Sequence, residues 1–173
     1  MGVQFIDKRG SFANLLKHPH WDVSRRAIYQ INVSSMTKAG TLKGLHWQTG
    51  EFAEYRQVTC LIGKVFDVAV DIRPESPTFL QWQAVELAGL DGQSVLVPPG
   101  FAHAVQSLTA NCMVHYIHSL TYEPRHEAGL NALDPALSII WPLEPTNMSD
   151  RDLGLPTVHE LFGSAGRASS GHL

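Results

Sequence analysis

Residues 64–73 alternate in character at every second position: Phe66, Val68, Val70 and Ile72 are apolar, with Val65, Asp67, Ala69 and Asp71 between them. A period of two places one uniformly apolar face on a β-strand, because successive side chains leave opposite sides of the pleated backbone. Shorter runs of the same kind lie at 42–48, 79–88, 93–98, 103–109, 112–122 and 137–143. They are separated by turn residues: Gly89 with Asp91-Gly92, Pro98-Pro99-Gly100, and Ala110-Asn111. Strands at intervals of about 8 to 12 residues predict an all-β sandwich or barrel. Long amphipathic helical stretches are absent, and only residues 19–27 and the segment after Ser149 have room for one or two helical turns.

Composition narrows this picture. A chain of 173 residues, 44% hydrophobic, is enough for one sizeable core, so residues 1–158 are expected to form a single domain. Residues 159–173, rich in Gly, Ser and Ala, have little to bury and are expected to be a flexible tail. The net charge is −3 and the 13 Lys plus Arg are dispersed, which argues against a nucleic-acid partner. The N-terminus lacks the basic and apolar regions of a signal peptide, and no run is apolar enough to span a membrane. A soluble, cytoplasmic protein is expected. Cys60 and Cys112 lie in apolar runs without CxxC spacing and read as reduced core residues, although one disulfide between them stays open.

Reactive side chains stand out at four places: His46 in GTLKGLHWQ, His103 in PPGFAHAV, Tyr116 in VHYIHSLTY, and Asp152 in SDRD. Each has an ordinary alternative. The two histidines fit half-buried strand residues bonded to a carbonyl, Tyr116 fits a packing tyrosine, and Ser149 with Asp152 fits a helix cap. A metal site is a further reading, because PPGFAH resembles the second motif of the cupins, in which such a histidine often binds metal. There the first motif supplies a His-x-His pair, and here the pair would be His46 and Gln48. An amide oxygen is a poor ligand for a first-row transition metal, and strand alternation sends His115 and His118 to opposite faces, which leaves Glu54 as the further ligand. No metal and no cofactor are expected.

Taken in order, DKRGSF, GTLKGLHWQ, GKVFDVAVDIRPESPTFLQW, VPPGFAHAV, NALDPALSIIWPL and SDRDLGLP resemble the dTDP-4-dehydrorhamnose 3,5-epimerases, metal-independent cupins. The series runs from residue 7 to Pro156. The resemblance implies a jelly roll with a few short helices, forming a homodimer through exchange of N-terminal strands. It implies an isomerase that inverts C3, C5 or both in a nucleotide-linked, most plausibly dTDP-linked, 4-keto-6-deoxyhexose. In that family the base corresponds to His46, its carboxylate partner to Asp152, and the proton donor to Tyr116, six residues before Tyr122. His103 lines the same pocket; Arg9 meets the phosphates; Asn32 and Gln48 are further polar contacts.

The chemistry is consistent with those residue types. A 4-keto group acidifies the hydrogens at C3 and C5, and an imidazole of reference pKa about 6.5 is suited to removing them near neutral pH. A carboxylate on the far ring nitrogen fixes the tautomer and is expected to raise the basicity of the ring. Three positions depart from the family: Asn14 stands where an acidic residue often follows the early aromatics, and in two exchanges of cations Lys43 replaces the arginine before Gly-Leu-His and Arg56 replaces a lysine that reaches the keto oxygen. Each exchange keeps the charge and changes its shape. They make a 3,4-ketoisomerase or a single-centre epimerase the alternatives on this fold, ahead of a metal-dependent cupin or a non-catalytic sugar-nucleotide binder.

Overall fold

The computed structural model describes residues 27–89 and 91–163, together with the backbone of two strands, β1 (Gln4–Asp7) and β2 (Gly10–Ala13), which pair as a hairpin. Strands β3 (Gln30–Met36), β4 (Leu42–Gln48), β5 (Arg56–Ile62) and β6 (Lys64–Asp71) follow. After them come β7 (Trp82–Ala88), β8 (Val95–Val97), β9 (Phe101–Ser107), β10 (Cys112–His118) and β11 (Glu127–Gly129). Two short helices, α1 (Asp150–Leu153) and α2 (Val158–Phe162), close the described chain. The strands form two antiparallel sheets, ordered β3-β10-β5-β8 and β11-β4-β9-β6-β7, the β-sandwich of a cupin jelly roll.

The two faces of β6 have different destinations. Val65 joins Val58, Cys60, Val97, Val105 and Val114 in the core between the sheets, and Asp67 lies buried on this same inward face. Val68 and Val70, from the uniformly apolar face, instead join Leu42, Ala102 and Ala104 under an outer layer made by Leu130, Ala132, Leu137 and Val158. The C-terminal third of the chain therefore acts as a strap over the outside of the five-stranded sheet. Removing several fully buried Val and Leu side chains from water contributes about 1.5–3 kcal/mol each, so this outer layer is a second core.

One expected strand is not formed. Residues 137–143 follow a 3-10 turn at Pro135–Leu137, where Ser138 takes a left-handed φ of 50°, and they join no ladder. Pro142 has no N–H to give a ladder. The alternation in this stretch serves the strap instead: Ile139 and Trp141 pack on the outer core, Trp141 Nε1 donates to the Ala132 carbonyl at 3.0 Å, and Ile140 is 79% exposed. Buried Gln106 fixes the strap by donating to the Leu143 carbonyl and accepting from its N–H. Helix α2 continues the ordered chain to Phe162, whose ring meets Phe79 edge-on, four residues beyond the expected limit of the domain. The turn expected at 19–27 lies outside the described residues except for Ala27. Cys60 and Cys112 are free buried thiols, and burial with the neighbouring Cys112 pushes the Cys60 thiol up to about 11.

Gly44 marks where β4 and β9 leave regular register. Its φ is +118°, and a Cβ there would lie 2.5 Å from the His103 carbonyl oxygen and 2.7 Å from Ala104 Cα. Gly163 shares a positive φ, of +58°, but has nothing within 4 Å. Gly44→Ala is expected to cost about 3 kcal/mol, lowering the melting temperature by roughly 6–12 °C, against about 1 kcal/mol for Gly163→Ala. Thermal denaturation of both variants compares strain plus collision with strain alone.

Candidate active site

A cavity of about 570 Å³ opens at one end of the sandwich, lined by His46, His103, Tyr116, Arg56, Lys43, Asn32, Glu54, His118 and Glu127 among others. The sheets bring these residues together. His46 on β4 is directly opposite His103 on β9, while Tyr116 on β10 is flanked by Asn32 on β3 and Val58 on β5. Strand alternation is kept here: Tyr116 and His118 face the cavity, whereas His115 does not line it.

Asp152 reaches the site from the strap. Ser149 Oγ caps α1 by accepting from the Asp152 N–H at 3.1 Å. The Asp152 carboxylate is thereby left for β4: Oδ1 is 2.9 Å from His46 Nε2, and Oδ2 accepts from the Gly44 N–H at 3.3 Å. The capping motif and the His46–Asp152 contact are thus one arrangement. With Nε2–H donating to Asp152, Nδ1 of His46 carries the ring's lone pair. It has no hydrogen bond, yet it lies 3.4 Å from Glu127 Oε1, close enough for an ion pair once the ring is protonated.

Burial depresses the pKa of His46, and the neighbouring carboxylates do not fully offset it. Asp152 and then Glu127 push it up, Arg151 pushes it down, and desolvation is the largest influence. The Asp152 contact does raise the basicity of the ring, as expected, but the net pKa is lowered, because an imidazolium enclosed by protein loses more hydration than its partners return. Glu127 is itself held by Tyr122 and Arg151. Burial favours its neutral form, but their hydrogen bonds prevail and keep its pKa low.

The far wall is a continuous chain of polar contacts. His103 Nε2 is 2.8 Å from Asp67 Oδ2, with both side chains almost fully buried. Arg56 Nη1 lies 3.4 Å from His103 Nδ1, and because a guanidinium only donates, Nδ1 accepts and the His103 proton is on Nε2, facing Asp67. Arg56 Nη2 donates to Glu54 Oε1 at 3.0 Å, Glu54 also meets His118 Nδ1 at 3.1 Å, and His118 Nε2 contacts Asn32 at 3.3 Å. Tyr116 is enclosed beside this chain, its ring edge-on to His103 and stacked with His118. Desolvation, then the charge of Asp67, push its hydroxyl well above the usual phenol range, with Arg56 opposing. Tyr116 therefore keeps its proton throughout the neutral range.

The remaining expected residues are placed differently. Lys43 lies at the cavity edge, its ammonium donating to Ser34 Oγ at 2.8 Å and the Ser35 carbonyl at 3.2 Å, so it ties β4 to β3 across the two sheets. Gln48, expected as a ligand contact, does not line this cavity. Its amide instead donates to the Phe52 and Thr121 carbonyls and accepts from the Glu123 N–H, joining three loop segments. Arg9 lies outside the described residues. Among the described residues no group of three or more His, Cys, Asp or Glu is arranged to hold a metal ion; Glu54 is instead held between Arg56 and His118.

A sequence profile described as dTDP-4-dehydrorhamnose 3,5-epimerase matches residues 2–160. The chain belongs to the dTDP-4-dehydrorhamnose 3,5-epimerase family. It is an enzyme of the isomerase class, of the racemase and epimerase group. A dTDP-4-dehydrorhamnose 3,5-epimerase of Sinorhizobium fredii is 37% identical over 161 residues, covering 91% of this chain and 83% of the relative. A dTDP-6-deoxy-D-glucose-3,5-epimerase from Legionella pneumophila, solved with dTDP-4-keto-L-rhamnose, superposes with a TM-score of 0.83 at 33% identity, covering 95% of this chain and 88% of that one. A 3′-monoepimerase from Streptomyces bikiniensis, solved with dTDP-quinovose, gives a TM-score of 0.83 at 30% identity over 94% of this chain and 84% of that one.

Sequence reasoning gave no role to Asp67, His118, Glu127 or Arg151. Asp67 carries a usable signal, a carboxylate in the middle of a strand between apolar neighbours. Glu127 and Arg151 meet only through pairing of β11 with β4 and docking of α1, which local pattern does not encode.

A base must be neutral to accept a proton, so a lowered His46 pKa extends its competence to more acid pH. Titration of the His46 ring by NMR is expected to give a midpoint below the ordinary value of about 6.5. Asp152→Asn and Glu127→Gln each remove an influence that raises it and are expected to move the midpoint lower still. Arg151→Gln removes one that depresses it and is expected to move the midpoint up.

Proposed function

We propose that this protein inverts C3, C5 or both in a dTDP-linked 4-keto-6-deoxyhexose through an enolate. The observation that carries the reading is the His46–Asp152 contact beside a cavity that also holds Tyr116 and Arg56. His46 takes the proton from the carbon next to the keto group, and Asp152 holds the ring and stabilises the imidazolium that forms. Arg56 stands by the negative charge that develops on the keto oxygen, as a fixed cation in a partly desolvated wall. Tyr116, still protonated, returns a proton to the opposite face of the ring, which completes the inversion.

The nucleotide has a natural place across the cavity mouth, where Lys43 and Asn32 are found, and the phosphates are assigned to Arg9, which lies outside the described residues. The family's homodimer is consistent with β3. Among the described residues it lies at the edge of its sheet, and it exposes Ile31 and Val33 at 57% each, with Tyr29 just before it at 59%. An apolar row on an open edge favours pairing with a second strand. We assign the enzyme to the cytoplasm, where nucleotide sugars are made; no helix among the described residues is long and apolar enough to cross a membrane.

With dTDP-4-keto-6-deoxyglucose in deuterated water, His46→Ala is expected to reduce deuterium incorporation at the epimerised carbons by about 10²–10⁴-fold. Tyr116→Phe is expected to keep part of that exchange, through return of the proton by His46 to the same face, while inverted product falls by a similar factor. Undiminished exchange in the His46 variant defeats the assignment of the base. For the assembly, Ile31→Asp combined with Val33→Asp is expected to convert a dimer into a monomer in sedimentation equilibrium.

A further inference from the structure

We propose that Arg56, clamped by Glu54 and His103, makes C3 the favoured centre, by gripping the pair of oxygens that only the C3 enolate holds in one plane. The inference rests on the reaction proposed above and names its preferred carbon.

A guanidinium has five N–H donors in one plane. In this wall Nη1 donates to His103 and Nη2 to Glu54, while Nε is enclosed without a partner. One N–H therefore remains on each terminal nitrogen, on a side chain that lines the cavity. The clamp is itself supported: Glu54 is buried and shared with His118, and His103 is anchored by buried Asp67. Arg56 thus presents a planar pair of donors that is held rather than free to swing.

The two enolates differ in what they offer such a pair. Loss of the C3 proton leaves a C3=C4 double bond bearing the 3-hydroxyl on one carbon and the charged oxygen on the other, both outside the ring and cis. Their oxygens are adjacent and coplanar, matching two parallel N–H groups. Loss of the C5 proton gives a C4=C5 double bond on which the charged oxygen is cis to the C6 methyl and trans to the ring oxygen, while the 3-hydroxyl stays on a tetrahedral C3, out of the enolate plane. Only one oxygen then lies in the plane of the fork. A lysine ammonium is a point charge and does not make this distinction.

The test follows proton exchange at C3 and C5 separately by NMR in deuterated water, using dTDP-4-keto-6-deoxyglucose and its 3-deoxy analogue. The expected result is exchange about ten- to a hundredfold faster at C3 than at C5 for the natural chain, the worth of one further charge-assisted hydrogen bond. Arg56→Lys is expected to slow C3 selectively and bring the ratio towards one. Glu54→Gln, which keeps the shape of the wall and loosens the clamp, is expected to move the ratio in the same direction. The 3-deoxy analogue is expected to lose the preference with no change to the protein. Equal rates at the two carbons in the natural chain, or a ratio unchanged by both substitutions and by the analogue, overturn the inference while leaving the epimerase reading intact. No exchange at either carbon overturns both.

Discussion

An ionisable group enclosed between two sheets costs several kcal/mol unless it is paired, and this constraint organises the sandwich interior. Asp67 occupies an inward position on β6, and its pairing with His103 Nε2 determines which nitrogen of that ring is left to accept. Arg56 takes that acceptor, Glu54 balances Arg56, and His118 and Asn32 continue the sequence to the rim. Removing one member leaves its neighbour buried without a partner, so the wall holds a single arrangement. Tyr116 stands beside this charged lattice, and its burial, with the charge of Asp67, raises its hydroxyl above the usual phenol range.

The opposite wall has a different balance. His46 has carboxylates near both ring nitrogens and is still less basic than a free imidazole, because enclosure outweighs their attraction. Arg151 contributes to this, holding Glu127 while disfavouring a charged ring. A weaker base gives a more acidic conjugate acid, which releases the abstracted proton readily once the carbanion has been formed. Substrate binding excludes water further, strengthening every charge in the cavity.

Much of the fold was legible because the period-two pattern is local. It located β6, β7, β8, β9 and β10 and separated them at the Gly and Pro turns. It did not show which face of β6 looks inward: the wholly apolar face lies under the strap, and the face carrying Asp67 lines the interior. Residues 137–143 have the same alternation without a partner strand, and pairing is a property of the whole fold. For the site, motif resemblance located His46, His103, Tyr116, Asn32, Lys43 and Arg56, all of which line one cavity, and Asp152 behind them. It misplaced Gln48, because an amide beside a catalytic histidine looks the same in sequence whether it meets a ligand or three loop backbones. The clamp around Arg56 was invisible for a further reason, since its partners come from strands far apart in the chain.

The base and the carboxylate that orients it belong to different layers. His46 is built into the five-stranded sheet, whereas Asp152 arrives on the strap that crosses the outside of that sheet. During synthesis, every strand of both sheets emerges from the ribosome before residue 152 does. A nascent chain can therefore close its sandwich and enclose the cavity while the imidazole is still free to choose its tautomer. Completion of the strap is the event that brings Asp152 to His46, so the imidazole gains its carboxylate partner only as the last part of the described chain is made.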